Sequence, residues 1–510
     1  MRGLGLQSGF GAVRNDAVLT CAQMARADAW TTKNAYAPGI AFMENAGAAV
    51  ARMVLERFGD SRRALVLCGP GNNGGDGYVA ARILGAAGMD VVLFAFGDPR
   101  AGSDAEIAAS RCQVETQPPD AFAPAACDVV IDAVFGAGLT RGLPEDVRAA
   151  FDRARKRGCT VVAVDLPSGV NGDSGADLGG ALAADATVTF FRKKPGHLLY
   201  PGRALCGELL VADIGVRAEI FGADPPFLFE NGRDIWADAL PKAGTELHKY
   251  ARGHAAVFSG GRHATGASRL AAFAAQRAGA GAVTILGSPD ALDIHASHVT
   301  SIMLRACGSN QGYAALHALK GCRACVLGPG FGDLDAARSI AREILEDAEG
   351  AVRLVLDADG ITAFSTASEA LFDAASDGET RLVLTPHEGE FGRLFPDLAA
   401  NPNLSKPDKA LQAARRAHAV VLYKGPDTVI AAPDGRAAIN SNGTPALATA
   451  GSGDVLAGVI AGLLAQGMPV WEAACAAAWL HGEAGRAAGP LAVAEDLVGR
   501  IAPVLAPMFG

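Results

Sequence analysis

The residues whose types could do chemistry are bunched in short glycine-rich segments. The first runs Gly69-Pro70-Gly71-Asn72-Asn73-Gly74-Gly75-Asp76-Gly77. Its glycines permit positive φ and close backbone approach to a ligand. Its two asparagines add amide donors and carbonyl acceptors, and a helix starting there would aim its positive end at a phosphate. A plain glycine-rich turn is the alternative, and a single GxG would carry little weight. Two further segments follow apolar runs: Asp132-Ala133-Val134-Phe135-Gly136-Ala137-Gly138-Leu139-Thr140-Arg141-Gly142 and Asp165-Leu166-Pro167-Ser168-Gly169-Val170. Each opens on an Asp at the C-terminal end of an expected strand, the edge where open α/β sheets bind ligands. Either Asp alone could equally cap a helix or brace a loop. Lys193-Lys194-Pro195-Gly196 adds a cation, and either lysine could fill that place or be solvated surface.

The second half of the chain carries Thr449-Ala450-Gly451-Ser452-Gly453-Asp454-Val455-Leu456-Ala457-Gly458. A Gly-Ser-Gly turn opening an apolar helix offers backbone N–H groups to the charge that builds on a moving phosphoryl group. Asp454, in the first turn, could take a proton from a hydroxyl as that oxygen attacks phosphorus. An ordinary Asp favoured by the helix dipole is the competing reading. Leu327-Gly328-Pro329-Gly330-Phe331-Gly332 is another close-approach loop. Leu384-Thr385-Pro386-His387-Glu388-Gly389-Glu390 brings a His and two carboxylates, or is simply a capped helix start. In Tyr423-Lys424-Gly425-Pro426-Asp427-Thr428, Lys424 suits a nucleotide phosphate, a surface turn lysine being the alternative.

The elements that must position these segments are legible as apolar runs. Strands are expected at 63–68, 90–96, 128–134, 160–166 and 187–191, with a helix between the first two. Strand, loop, helix, strand is the mark of a parallel sheet. A second series is expected at 254–259, 282–286, 323–327, 353–357, 381–385 and 419–424, with alanine-rich helices between. Pro, Gly and charge cluster over 215–247, as in a linker. The expected division is 1–222 and 223–510.

Composition narrows the class. The 510 residues are 50% hydrophobic and 19% charged, enough to bury large cores in more than one domain. A net charge of −9 argues against nucleic-acid and anionic-membrane partners, which call for basic patches. No apolar stretch reaches the length that spans a bilayer, and no signal peptide is evident. The cysteines are scattered singly, which fits a reducing, cytoplasmic setting. Cys322 and Cys325 form a lone CxxC leading into an apolar run, where buried thiols are expected rather than a zinc site.

With these residues in view, the first half resembles the NAD(P)HX epimerase domain of the YjeF family. The resemblance rests on MENAG at 43–47, GPGNNGGDG at 69–77, DAVFGAGLTRG at 132–142 and VDLPSGVNGDSG at 164–175, in that order. It implies a Rossmann-like α/β/α sandwich. It implies that Asn72, Asn73, Gly74, Gly75 and Asp76, with Gly136, Ala137, Gly138, Leu139, Thr140, Arg141 and Gly142, hold the nucleotide. Asn73, Asp132 and Ser168 would ligate a potassium ion, as oxygen donors suit a hard cation. Asp165 would face the hydrated nicotinamide, and Lys194 would be the active-site lysine.

The second half, through LGPGFG, LDADG, LTPHEGEF, YKGPDTVI and AGSGDVLAG, resembles the ADP-dependent NAD(P)HX dehydratase domain, a ribokinase-like α/β fold. By that resemblance Ala267, Gly330, His387 and Asp454 contact the hydrated nucleotide, with Asp454 the catalytic base. Lys424, Gly425, Pro426, Asp427, Thr428 and Gly453 hold the adenine nucleotide. ADP and Mg2+ are the expected co-substrate and metal, NADHX and NADPHX the substrates, and a homo-oligomer the expected assembly. The family has Thr where Ser452 stands and Gly where Tyr250 stands. A rival reading makes the second half a small-molecule kinase and the first a non-catalytic nucleotide-binding module.

Overall fold

Short runs of Val, Leu, Ile and Ala become strands, and the alanine-rich stretches between them become helices. The computed structural model describes residues 16–508 apart from 35–36, 62, 242–251, 348–349 and 351; Tyr250 and most of the 241–250 stretch lie outside these. The chain divides into two units, Met1–Phe227 and Leu228–Gly510.

In the first unit the strands are β1 (Ala64–Cys68), β2 (Val91–Ala95), β3 (Thr116–Gln117), β4 (Val129–Ala133), β5 (Thr160–Val164), β6 (Ala186–Phe190) and β7 (Glu208–Ala212). They pair in the order β3-β2-β1-β4-β5-β6-β7, every pair parallel. β1, β4 and β6 are buried along their whole length, which explains their unbroken apolar sequences. Helices α1 (Cys21–Lys33), α2 (Gly39–Phe58), α3 (Asn72–Ala86), α4 (Asp104–Arg111) and α5 (Glu145–Arg157) complete the layers. Val50, Val54 and Ala80 of α2 and α3 pack with Val66 and Ile131 in one core. Val147 and Phe151 of α5 pack with Leu65 and Leu67 in the other. The direction of winding reverses between β1 and β4, so the loops after these two strands part and leave a crevice.

In the second unit the strands are β8 (Leu228–Glu230), β9 (His254–Phe258), β10 (Ala282–Gly287), β11 (Met303–Ala306), β12 (Cys322–Leu327), β13 (Arg353–Leu356), β14 (Leu382–Leu384), β15 (Val420–Tyr423), β16 (Val429–Ala431) and β17 (Ala437–Ile439). Their order is β8-β17-β16-β15-β14-β13-β12-β9-β10-β11. Pairing is parallel from β15 to β11, while β16 runs antiparallel to both its neighbours. In β12, Cys325 is buried and Cys322 half-buried.

Helix α6 (Gly266–Arg277) lies against the sheet with α9 (Ser452–Ala465), and α7 (Glu388–Leu394) and α8 (Lys406–Ala417) are among the helices between them in sequence. α9 is apolar almost all round and almost wholly buried, as such a helix must be. It touches α6 backbone to backbone. A Cβ on Gly458 would lie 2.2 Å from Ala271 O, and one on Gly462 would lie 2.5 Å from Ala275 O. Both numbers advance by four, so the helices run parallel. The same step of four, carried one turn back, brings Asp454 to the level of Ala267.

Part of the stretch read as linker is structured. Leu228–Glu230 pairs with Ala437–Ile439, and Trp236 follows fully buried. Among the described residues no helix is long and apolar enough to cross a membrane.

Candidate active sites

The crevice between the β1 and β4 loops opens into a cavity of about 990 Å3. Asn72, Asn73 and Asp76 line it from the first turns of α3, Gly136 to Arg141 from the β4 loop, and Asp165 and Lys194 from beyond β5 and β6. Gly74, Gly75 and Gly142 do not line it. Gly74 serves close packing: a Cβ there would sit 1.8 Å from Gly69 O.

Asp165 takes φ of +64°, a conformation uncommon outside glycine and tolerated best by Asp and Asn. Its Oδ2 accepts from the Ala137 amide at 3.0 Å. Its Oδ1 accepts from Lys194 Nζ at 2.8 Å and Thr189 Oγ1 at 3.0 Å. Burial pushes this carboxyl up, but the Lys194 ammonium and its hydrogen bond outweigh that and hold it at about 2. Lys194 Nζ also donates to Thr189 Oγ1 at 2.9 Å and to Phe190 O at 3.3 Å, so all its protons are directed at protein oxygens.

His197 braces the pair from beneath. Its Nδ1 accepts from the Lys194 amide at 2.9 Å and its Nε2 donates to Asp165 O at 2.7 Å. Burial, then the nearby ammonium, depresses its pKa to about 4, so it is neutral. His197, Thr189 and the cavity-lining Asp28 were not singled out in the sequence.

Asp132 and Ser168 lie behind the cavity wall. Ser168 donates through its amide at 2.8 Å and its hydroxyl at 2.6 Å to the Asp132 carboxylate. Asp132 is fully buried, which raises it to about 6 against the pull of these hydrogen bonds. No cationic side chain pairs with it among the described residues. The buried Asn73 Nδ2 has no hydrogen-bond partner among the described residues.

The second group gathers at the C-terminal ends of β13, β14 and β15. Lys424 Nζ is 2.7 Å from Asp357 Oδ1 and 3.7 Å from Glu390 Oε2. Burial works against its charge, but these carboxylates prevail and raise its pKa. Thr385 Oγ1 donates to Asp357 Oδ1 at 2.8 Å. A Cβ on Gly453 would lie 3.5 Å from Asp357 Oδ2 and 3.6 Å from Lys424 Nζ, so the start of α9 abuts this pair. Asp454 is half-buried there. Burial, then the Asp357 charge, raises its pKa to about 6, with Lys424 pulling down. The Ser452 amide is bonded to Thr449 O at 3.3 Å, while those of Gly453 and Asp454 have no protein acceptor among the described residues. Ser452 Oγ meets the buried His481 Nε2 at 3.0 Å.

The 424–428 turn is braced. Thr428 Oγ1 accepts from the Gly425 amide at 3.2 Å and donates to Gly425 O at 2.9 Å. Lys406 Nζ reaches Asp427 Oδ1 at 2.6 Å, and Pro426 fills the turn between. Gly330 stands against Ala267, to whose Cβ an added methyl would come within 3.4 Å. His387 caps α7: its Nδ1 accepts from the Gly389 and Glu390 amides at 3.0 and 3.3 Å, and its side chain is 56% exposed. The sequence offers Glu390 only as one of two carboxylates in its segment and gives Asp357 no role, although Asp357 ends a strand just as Asp132 and Asp165 do.

Two family models match the chain. Residues 39–196 match the YjeF-related protein N-terminus, and residues 255–499 match NAD(P)H-hydrate dehydratase. A bifunctional NAD(P)H-hydrate repair enzyme of Thermofilum pendens is 37% identical over 87% of this chain and 86% of its own. One of Moorella thermoacetica is 36% identical over 92% of each. A solved ADP/ATP-dependent NAD(P)H-hydrate dehydratase of Bacillus subtilis, co-crystallised with ATP and Mg2+, is 26% identical and covers 53% of this chain and 95% of its own, with a TM-score of 0.46. With relatives of such identity aligned along most of both lengths, the chain belongs to the family of bifunctional NAD(P)H-hydrate repair enzymes.

Proposed function

We propose that the first unit interconverts the R and S epimers of hydrated NADH and NADPH, and that the second dehydrates the S epimer with ADP, giving AMP and phosphate. The observation that carries the second half is the start of α9, where unspent amides, the Asp454 carboxyl and the Lys424–Asp357 pair meet. The hydrated ring bears a hydroxyl at C6 beside the ring nitrogen, and hydroxide leaves poorly. Asp454 takes the hydroxyl proton as the oxygen attacks the β-phosphorus, and AMP departs. The phosphorylated oxygen then leaves as phosphate with loss of the C5 proton, restoring the dihydropyridine. Lys424 and the α9 amides meet the charge that builds on the phosphoryl oxygens.

For the metals, the donor sets are the guide. Asn73, Asp132 and Ser168 offer oxygen ligands, and Asp132 is a buried carboxyl without a cationic partner among the described residues, which fits a potassium ion. Such an ion would supply a fixed positive charge behind the nucleotide loop. Among the described residues no cluster of three or more His, Cys, Asp or Glu could hold a metal ion. Mg2+ would therefore be held chiefly by the nucleotide's phosphates, with water and at most one or two carboxylates.

The test is the recovery of NADH absorbance from mixed epimers with ADP, ATP or neither. Full recovery with a nucleotide is expected. A stable phosphorylated product without NADH would favour the kinase reading, which the repair-enzyme relatives do not support.

A further inference from the structure

In the first site Asp165 is held as a carboxylate and Lys194 has no uncommitted proton. Asp165 can thus serve as the base, and an acid must come from another group of the wall. The wall formed by α1 supplies one. Cys21, Met24, Ala25, Asp28, Ala29 and Thr32 line the cavity at intervals of three and four, a single helical face. α1 is held in place at its start by the Cys21 amide on Asp173 Oδ1 at 2.7 Å and Cys21 Sγ on Ala137 O at 3.1 Å. Near its end, Thr31 Oγ1 accepts the Arg217 amide at 3.3 Å. Asp28 is half-buried and has no hydrogen bond or ion pair among the described residues.

We propose that Asp28 is the general acid of the epimerase site, giving its proton to the C6 hydroxyl from the α1 wall while the Asp165 carboxylate accepts a proton from water arriving at the other face. This rests on the epimerase reading above. The C6–O bond breaks as the ring nitrogen lone pair forms N1=C6, and water departs. A second water then adds from the opposite face and loses its proton to Asp165. One C–O bond is broken and one made, no electrons leave the substrate, and the two carboxyl groups exchange protons through the open cavity. Burial raises the Asp28 carboxyl to about 6, the Lys194 charge pulling it down, so a protonated fraction persists near neutrality. The titratable or charged groups that share the cavity are Asp76, Asp104, Arg141, Asp165 and Lys194, with Cys21 and Lys33 on its own helix.

The experiment follows conversion of the purified R epimer by the full-length protein without ADP, in 18O water and across pH. In the wild type, 18O should enter the C6 hydroxyl, and kcat should fall as pH rises through the Asp28 titration. Asp28→Asn should lower kcat roughly 100-fold or more with KM changed less than about threefold, and should abolish the alkaline limb. Epimerisation without 18O uptake, a wild-type rate with no alkaline limb, or an Asp28→Asn variant within about twofold of wild type overturns the proposal. If wild type and Asp165→Asn alike fail to interconvert the epimers, the epimerase reading itself falls, and the proposal with it.

Discussion

At the scale of single residues, burial and neighbouring charge decide which groups can move protons. Asp454 must be ionised to accept one, and its carboxyl is raised to about 6, so kcat/KM for dehydration should fall as pH drops through that value. Lys424→Met removes the cation that lowers it, so the acid limb should move to higher pH. A rate profile at saturating ADP checks both, and an unmoved limb would separate Lys424 from Asp454. Lys194→Met leaves Asp165 buried without a counter-charge, a loss of about 3–5 kcal/mol at neutral pH. In the wild type Asp165 is depressed to about 2, so its stabilising share is present above about 4 and is lost as pH falls toward 2. In the variant the sense reverses, because the carboxyl can protonate. Denaturant melts at pH 7 and pH 4.5 should show the gap between the two proteins narrowing. Asp132 and Asp165 were legible because each ends an apolar run, and Asp454 because it stands between a Gly-Ser-Gly turn and the apolar run that follows. Asp28 was not, since nothing local says which face of α1 meets the cavity. Neither was the commitment of all Lys194 protons, which depends on Thr189 and Phe190 returning beside it.

At the scale of elements, legibility followed position in the sheet. The strands with unbroken apolar runs, such as Ala64–Cys68 and Val129–Ala133, fall where the sequence places them. Those it leaves out are edge or hairpin strands. Glu208–Ala212 is a half-exposed edge with an acidic start, and Val429–Ala431 and Ala437–Ile439 are three-residue strands around a Pro-Asp-Gly turn. The contact of α6 with α9 was invisible because it depends on small residues, which read as ordinary alanine-rich helix. It is nonetheless the contact that sets Asp454 level with Ala267. Gly458→Val should drive the helices apart at a cost of about 1–3 kcal/mol and abolish dehydration while leaving epimerisation intact. Assaying both activities on one preparation checks this; loss of both would mean general unfolding.

At the scale of the whole molecule, two sites in one chain make the outcome depend on the epimer supplied. Asp165→Asn should dehydrate the pure S epimer at the wild-type rate. From a mixture it should stop after the S fraction, with only slow spontaneous conversion beyond. A single-phase progress curve to completion would show that the first unit is not the source of S epimer. One detail of that unit offers a reporter of its integrity inside so large a chain. An ammonium whose protons all rest on Asp165, Thr189 and Phe190, with 3% of the side chain exposed, is shielded from exchange with bulk water. Its NMR cross-peak should therefore survive at neutral pH, where those of freely hydrated lysines vanish, and its disappearance on warming would register the loosening of one site.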